Sequence, residues 1–473
     1  MQPPLSEPIA MPQPRAASAP AAGLPWQHGL RYGWLGMPLA FVALPLYVLL
    51  PNHYAREFGI PLATLGVLLL AARLADALID PWIGRLVDRW FARSTAHLLQ
   101  RAALACALLW LGFVMLFFPP VLSQDGLLAW AAAALLLTYA AYSTLSVAHQ
   151  SWGAMWGGDE ALRSRIVSWR EGLGLLGVLV ASVLPSWAGL PATAAALALL
   201  LASGWLAWHQ APRPAPRPAP RPASSPALRP ASSPASRSGA APAQHAHPTT
   251  EAAQADSTDS IWHPFSRPAF RRLLAVFMLN GIASAVPATL VLFFVQDRLQ
   301  APRELEPAFL GSYFLCAALS MPLWLACVQR IGLARSWLAG MALAIAVFIW
   351  AMALDAGDSA AFIAVCALSG VALGADLALP GALLAGVIAA AGDRGRREGA
   401  YFGWWNFATK LNLALAAGLA LPVLGWFGYA PGSRDPQALQ TLVLAYCLIP
   451  CTLKLMAGVL LHVFVIRTER ALR

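Results

Sequence analysis

Apolar residues fill this chain in long runs that are broken at regular intervals. Crossing a bilayer as a helix takes about 20 apolar residues, and twelve runs of that order occur, at roughly 31–52, 61–84, 97–119, 126–150, 164–188, 190–208, 270–296, 307–328, 335–354, 359–391, 398–428 and 437–466. The run at 359–391 has room for a tilted helix and part of a loop. The pattern predicts an all-α integral membrane protein with twelve transmembrane helices.

Between the sixth and seventh runs the pattern stops. Residues 209–260 hold Ala-Pro-Arg-Pro repeats from Pro212 to Pro222, then a Ser/Pro/Ala tract and His245-Ala-His247. Such a segment cannot bury a core, so it reads as an extended linker with polyproline II character. His245 and His247 read as part of that solvated linker rather than as a metal site. The linker divides the helices six and six. The expected organisation is an N-terminal segment (1–29), a six-helix bundle (30–208), the linker (209–269), a second six-helix bundle (270–466) and a tail (467–473). The N-terminal segment is rich in Pro and Ala and has no apolar stretch of the signal-peptide kind.

Composition agrees with the run pattern. Only 11% of the 473 residues are charged and 59% are hydrophobic, with a mean hydropathy of +0.60; a soluble globular chain carries roughly 25% charged residues. The net charge of +10 is almost wholly arginine, since Lys410 and Lys454 are the only lysines. Arginine gathers in alternate loops: Arg85, Arg89 and Arg93; Arg163 and Arg165; the linker with Arg267, Arg271 and Arg272; Arg330 and Arg335; Arg394, Arg396 and Arg397; and Arg467, Arg470 and Arg473. The other loops hold few, offset by acids such as Glu57, Asp125, Asp297 and Asp355. An arginine-rich side is a cytoplasmic side, which puts both termini and the linker inside a plasma (inner) membrane. The excess positive charge is thus a topology signal with lipid-headgroup contacts, and no nucleic-acid partner is expected. All six cysteines fall within apolar segments, without the spacing of a metal site or a disulfide framework.

The second run carries charge where charge is expensive. Arg73, Asp76 and Asp80 are spaced i, i+3, i+7, so they share one helix face. Each ionised residue at the centre of a membrane helix costs about 2.5–3.5 kcal/mol on insertion scales, and such residues face a polar cavity inside a bundle. Pro81 adds an unpartnered carbonyl, that of Ala77, to the same cluster. Two carboxylates on one face suit Na⁺ or H⁺. The same spacing also suits a helix that pairs Arg73 with Asp76 and ends at Asp80. Lys410 is another charge inside an apolar run and needs an acidic partner, for which Asp76 or Asp80 is the natural choice.

Gly84-Arg-Leu-Val-Asp88-Arg89, expected in the loop between the second and third helices, resembles the Gly-x-x-x-Asp-Arg signature of the major facilitator superfamily. Within that superfamily the chain from about Leu30 onward resembles the glycoside–pentoside–hexuronide:cation symporters, the melibiose permease family. The matching stretches are Arg31-Tyr-Gly-Trp34, Ala72 to Gly84, Arg163 to Glu171, Leu279 to Thr289 and Arg396 to Lys410. The resemblance implies two pseudo-symmetric six-helix bundles around a central cavity. It implies a cation site at Asp76 and Asp80 with Lys410 beside it, substrate binding by Arg170 and by the helix-two arginine Arg73, and a conformational gate at Gly84, Asp88 and Arg89. His149, Gln150 and Trp152, in the fourth run, are candidates for solute contact, although His149 and Gln150 also suit a satisfied polar pair between helices. Asp376 is a further intramembrane acid, a candidate for solute binding or coupling. Trp34, Trp404 and Trp405 suit either ring stacking or packing.

Two departures bear on the solute. Ala40 and Ser146 stand where sugar-transporting relatives carry acidic ligands, and the acids common near Gly386 are missing. The expectation is a secondary transporter of a small solute, a sugar or glycoside, driven by Na⁺ or H⁺, with no cofactor and no obligate protein partner. The lost acids also suit a carrier or exporter of amphiphiles with a more apolar cavity. An enzyme or sensor is disfavoured: no nucleophile–base pair, phosphate loop or signalling domain is present.

Overall fold

The structure is a computed structural model that describes residues 24–120, 123–214, 260–430 and 432–467. Most of the expected N-terminal segment, linker and tail lies outside the described residues. Within them the chain is helical and holds no strand.

The first run opens as α1 (Trp26–Gly33) and α2 (Gly36–Leu44), passes through a π turn at Pro45–Leu49 and ends as α3 (Leu50–Glu57). Proline removes a backbone donor, and a widened turn just before it absorbs the break. Pro51 follows this π turn, and the twelfth run repeats the device: a π turn at Leu444–Leu448 precedes Pro450.

The second run is α4 (Leu62–Arg93), a 32-residue helix that passes unbroken through Pro81. Gly84, Asp88 and Arg89 therefore lie on its last turns and not in a loop. Nothing from Arg85 to Arg93 breaks a helix, and the stop comes at Ser94, whose hydroxyl caps the next helix by accepting the His97 N–H. Then come α5 (Thr95–Phe117), α6 (Gln124–Met155) and α7 (Glu160–His209). α7 holds the fifth and sixth runs and is kinked at Gly189, whose φ of 81° sits between Pro185 and Pro191. A side chain at that φ is strained, so the corner needs glycine.

The second half contains α8 (Pro268–Phe293), α9 (Glu306–Ile331), α10 (Leu333–Ala351), α11 (Ser359–Ala390), α12 (Glu398–Trp426), α13 (Pro436–Val443) and α14 (Ile449–Leu461). The tenth run, expected to include part of a loop, is helical across all 32 residues of α11. Nine helices among the described residues are long and apolar enough to cross a membrane; they are the third to tenth and the twelfth runs. The first, second and eleventh are also helical where expected. The second is less apolar because it carries Arg73, Asp76, Asp80, Arg85, Asp88, Arg89 and Arg93.

In the first half, α2 packs on α7, and α6 packs on α4 and α5; in the second, α11 packs on α9 and α10, and α8 on α12 and α14. The halves meet mainly where α4 crosses α12 and where α7 meets α9 and α11. The first crossing needs glycine. A Cβ built on Gly84 would collide with the Gly399 carbonyl, one on Gly399 with the Gly84 carbonyl, and one on Gly403 with the Asp80 carbonyl. Small residues of this kind let two membrane helices approach backbone to backbone.

Candidate cation and solute site

The charge face of α4 meets α6 and α12 at one point. Lys410, from α12, puts its ammonium 2.7 Å from Asp76 Oδ2 and 2.8 Å from Asp80 Oδ2. It donates hydrogen bonds to Asp80 Oδ1 at 2.9 Å and to Ser143 Oγ at 2.7 Å. Ser143, on α6, in turn donates to Asp76 Oδ1 at 2.9 Å. Asp80 is fully buried and Asp76 nearly so. The local reading in which Asp80 merely ends a helix is thereby excluded. Two carboxylates face one ammonium, so the cluster carries one more negative than positive charge. Asp80 Oδ2 is buried and has the Lys410 ammonium beside it, so a proton or a small cation binding there would share that oxygen with the lysine. Among the described residues, no group of three His, Cys, Asp or Glu side chains is placed to hold a metal ion, and this cluster has two.

Lys410 also lines a central cavity of about 440 Å³ between the two halves. One wall holds Ala40, Tyr142, Ser146, His149 and Gln150, with Arg170 and Glu171 from α7 beside them; the opposite wall holds Phe277, Asp376, Trp405 and Asn406. The loss of acids at Ala40 and Ser146 suggested an apolar cavity. Its lining is largely apolar, and amides and ion pairs from both halves converge on it. Gln150 donates to Ser146 Oγ at 2.9 Å and across the halves to Asn406 Oδ1 at 3.2 Å. Phe277 and Trp405 stack, with ring centroids 3.8 Å apart and planes at 21°, which gives the cavity an aromatic wall. Arg170 is clasped by its neighbour Glu171, from Nε at 2.9 Å and from Nη2 at 2.6 Å.

The remaining sequence candidates fall in different places. His149 faces the cavity but is tied to Tyr32: its Nε2 lies 2.7 Å from the Tyr32 carbonyl, and the Tyr32 hydroxyl donates to the His149 carbonyl at 2.9 Å. Trp152 is not among the cavity-lining residues. It is fully buried, donates to the Pro212 carbonyl at 3.1 Å and packs edge-on against Trp208. Trp34 and Trp404 are likewise spent on packing bonds, to Ser203 Oγ and to the Ile261 carbonyl. Arg73 is half-buried on α4 and is also absent from the lining. Asp376 lines the cavity and is the hub of a second network: it accepts from Asn280 and Trp337 on Oδ1, and from Ser284 and Lys454 on Oδ2. Ser143, Asn406 and Lys454 were not singled out from the sequence. Lys454 carried a usable signal as one of two lysines; a serine and an asparagine in an apolar helix carried none.

Gly84 and Asp88, expected from the sequence to form a gate, meet the second half at the arginine-rich end of α4. Asp88 accepts the backbone N–H groups of Gly399 (2.7 Å) and Ala400 (2.8 Å), and so caps the first turn of α12 from the other half. A carboxylate there satisfies orphan donors and meets the positive end of the helix dipole. Glu160, at the start of α7, does the same for the N–H of Leu333 at the start of α10, at 2.7 Å.

Comparison with known proteins points the same way. A family model described as MFS/sugar transport protein matches residues 31–209 and 236–468. The chain is 29% identical over 153 residues to the putative glycoside/cation symporter YagG of Escherichia coli (strain K12), covering 32% of this chain and 33% of that protein. It is 31% identical over 132 residues to the inner membrane symporter YicJ of the same organism, covering 28% of each. These alignments span a third or less of either relative. In fold, it is similar to a bacterial homologue of the iron transporter ferroportin in an outward-facing state (TM-score 0.64, 15% identity, 93% of this chain and 99% of that one). It is also similar to the Escherichia coli fucose:proton symporter FucP (TM-score 0.56, 14% identity, 91% and 97%). With a family match across both bundles and a major facilitator fold around a charged central cavity, the chain belongs to the MFS/sugar transport protein family.

Proposed function

We propose that this protein is a secondary transporter that carries a sugar or glycoside together with Na⁺ or H⁺ by alternating access, and not an enzyme. One observation carries the reading: the Lys410 ammonium is held by Asp76, Asp80 and Ser143 at the edge of the cavity. The acids belong to one bundle and the lysine to the other, so the cluster is both a cation site and a bond between the moving halves. A proton or Na⁺ on Asp76 and Asp80 neutralises the excess negative charge and weakens the hold on Lys410. The coupling ion then changes the relative stability of the open and closed arrangements, which is what coupling requires. Solute enters the central cavity within reach of Arg170, Gln150, Asn406 and Asp376.

Topology completes the proposal. The arginine-rich loops, both termini and the linker lie in the cytoplasm of a cell whose inner membrane holds the two bundles, 30–208 and 270–466. The Asp88 and Glu160 caps and the Gly84–Gly399 crossing then close the cytoplasmic side. Opening that side breaks these contacts and releases solute and ion inward. Asp76→Asn tests the assignment in proteoliposomes, with glycosides chosen because they raise the melting temperature of the purified protein. The variant should elute as a folded protein and lose cation-driven accumulation; full concentrative uptake by it would remove Asp76 from the cation site.

A further inference from the structure

A second cavity, of about 530 Å³, lies where α7 of the first half meets α9 of the second, and it shares no lining residue with the central one. From α7 it takes Arg165, Ser168, Gly172 and Leu176, which at i, i+3, i+7 and i+11 form one stripe along the helix. Leu319 and Met321 of α9 line the other side. Leu176 is 45% exposed and Leu319 69%, so the crevice opens outward, toward the acyl chains of a membrane. A helix rises about 1.5 Å per residue, which puts Leu176 about 16 Å deeper than Arg165, close to half of a hydrocarbon thickness of about 30 Å. The crevice therefore runs from headgroup level at the arginine-rich end to the middle of the bilayer. Trp26 of α1, 63% exposed, also lines it, as suits a tryptophan at a membrane interface.

Apart from its two indoles, the crevice has only two polar side chains. Arg165 stands at the headgroup end and makes no ion pair or hydrogen bond with any described residue. Ser168, one turn deeper, is 6% exposed, and its hydroxyl has no partner among the described residues. A buried hydroxyl left in that state is uncommon and costly. Gly172 adds space below it. A Cβ there would meet only Met321 Cγ, at 4.0 Å, whereas one on Gly177 would collide with the Met37 carbonyl. Gly177 is thus needed where α7 crosses α2. No crossing requires Gly172, and its missing side chain deepens the crevice. An unpaired positive charge, a hydroxyl below it and an apolar channel below both match a phosphate diester, its glycerol ester and an acyl chain, in that order.

We infer that this crevice binds one anionic phospholipid from the leaflet at the arginine-rich end, with the lipid phosphate on Arg165 and Ser168 and an acyl chain between α7 and α9. The lipid touches both halves at once. The site uses none of the residues that line the central cavity or hold the coupling ion, so it stands whatever the solute and ion are.

The test titrates the purified, delipidated full-length chain in detergent with phosphatidylglycerol and, separately, with phosphatidylethanolamine, and counts bound lipid by native mass spectrometry. Phosphatidylglycerol should bind about fivefold more tightly, the contribution of one basic residue near an anionic lipid surface. Arg165→Ala should abolish that preference. Gly172→Leu fills the crevice and keeps the charge, and it should weaken both lipids about tenfold, as for two methylenes of buried acyl chain lost. A third variant, Leu319→p-benzoylphenylalanine, keeps the test open if either of these fails to fold. Illuminated in membranes, it should give an adduct with the mass of a phospholipid, enriched in phosphatidylglycerol over its share of the membrane. An adduct with a peptide from residues 1–23, or with a second copy of the chain, assigns the crevice to that occupant and overturns the inference. Equal affinity of wild type for the two lipids overturns it, as does a preference that survives Arg165→Ala. Inorganic phosphate that raises the melting temperature as phosphatidylglycerol does would show a soluble-anion site instead, and overturns it as well.

Discussion

Replacing Lys410 with methionine removes an ammonium that sits 2.7 Å from Asp76 Oδ2 and 2.8 Å from Asp80 Oδ2, and leaves a flexible apolar side chain in its place. A coupling cation that shares those oxygens with Lys410 lies about 4 Å from its Nζ, and at that distance two unit charges repel by about 4 kcal/mol at an effective dielectric of 20. That figure is the ceiling, because the lysine can draw aside as the cation arrives. At 1.4 kcal/mol per tenfold, the Lys410→Met variant should bind the coupling ion between about ten- and a thousandfold more tightly than wild type. It should also be less stable in the absence of the ion, since removing one partner of a buried pair costs about 3–5 kcal/mol. Its melting temperature should then rise steeply with ion concentration, because the stabilisation grows as the logarithm of one plus the ratio of ion concentration to Kd. Calorimetric titration with NaCl, at ionic strength held constant with choline chloride, measures the Na⁺ affinity. A proton titration in Na⁺-free buffer measures the alternative ion. A variant that binds neither ion more tightly than wild type would refute the view that lysine and coupling ion compete for Asp76 and Asp80. In transport the variant should bind its ion and release it poorly, so uptake falls although affinity rises.

Two further outcomes follow from the geometry. Gly84→Ala drives a methyl group into the Gly399 carbonyl; overpacking of this kind costs about 1–3 kcal/mol. The cost falls on the arrangement closed at the arginine-rich end, so a cysteine placed at Ala40, with the native cysteines replaced, should react faster with maleimide from that end; an unchanged rate would show that this crossing does not hold the gate. In the loop after α12, Tyr429 donates to the buried carboxylate of Asp297, which also accepts the Gly432 N–H at 2.9 Å. Burial first, and Asp297 second, push the Tyr429 hydroxyl above its ordinary value. A raised value in the folded state means that the stabilisation is whole below about pH 10 and is lost as pH climbs beyond it. Tyr429→Phe should lower stability at neutral pH by about 1–3 kcal/mol, as a buried acceptor loses a donor, and should flatten the loss of melting temperature above pH 10. An alkaline profile that the substitution leaves unaltered would contradict the assignment.

The features that could be read from the sequence are those with a large local cost. Twenty apolar residues in a row have few other uses, and a carboxylate within such a run is expensive enough to mark a site, so the helical runs, Asp76, Asp80 and Lys410 were all visible before any coordinates. Ser143 and Asn406 were not visible, because a neutral polar residue in a membrane helix costs little and its spacing does not say which neighbour it meets. The short segment from Gly84 to Arg93 misled for a related reason: its charges resemble a loop, yet the backbone has no breaker before Ser94 and remains helical. Lys454 is the instructive case. Most arginines of this chain lie in the loops and mark topology, Arg73 and Arg170 being placed within the bundles, and the choice of lysine at only two positions sets both apart. That choice marks Lys454 as unusual without naming Asp376, which lies 78 residues earlier in the chain. The cost of burying a charge belongs to the residue and shows in the sequence. The identity of its partner belongs to the packing of α8, α10, α11 and α14, and only the folded chain brings those helices together.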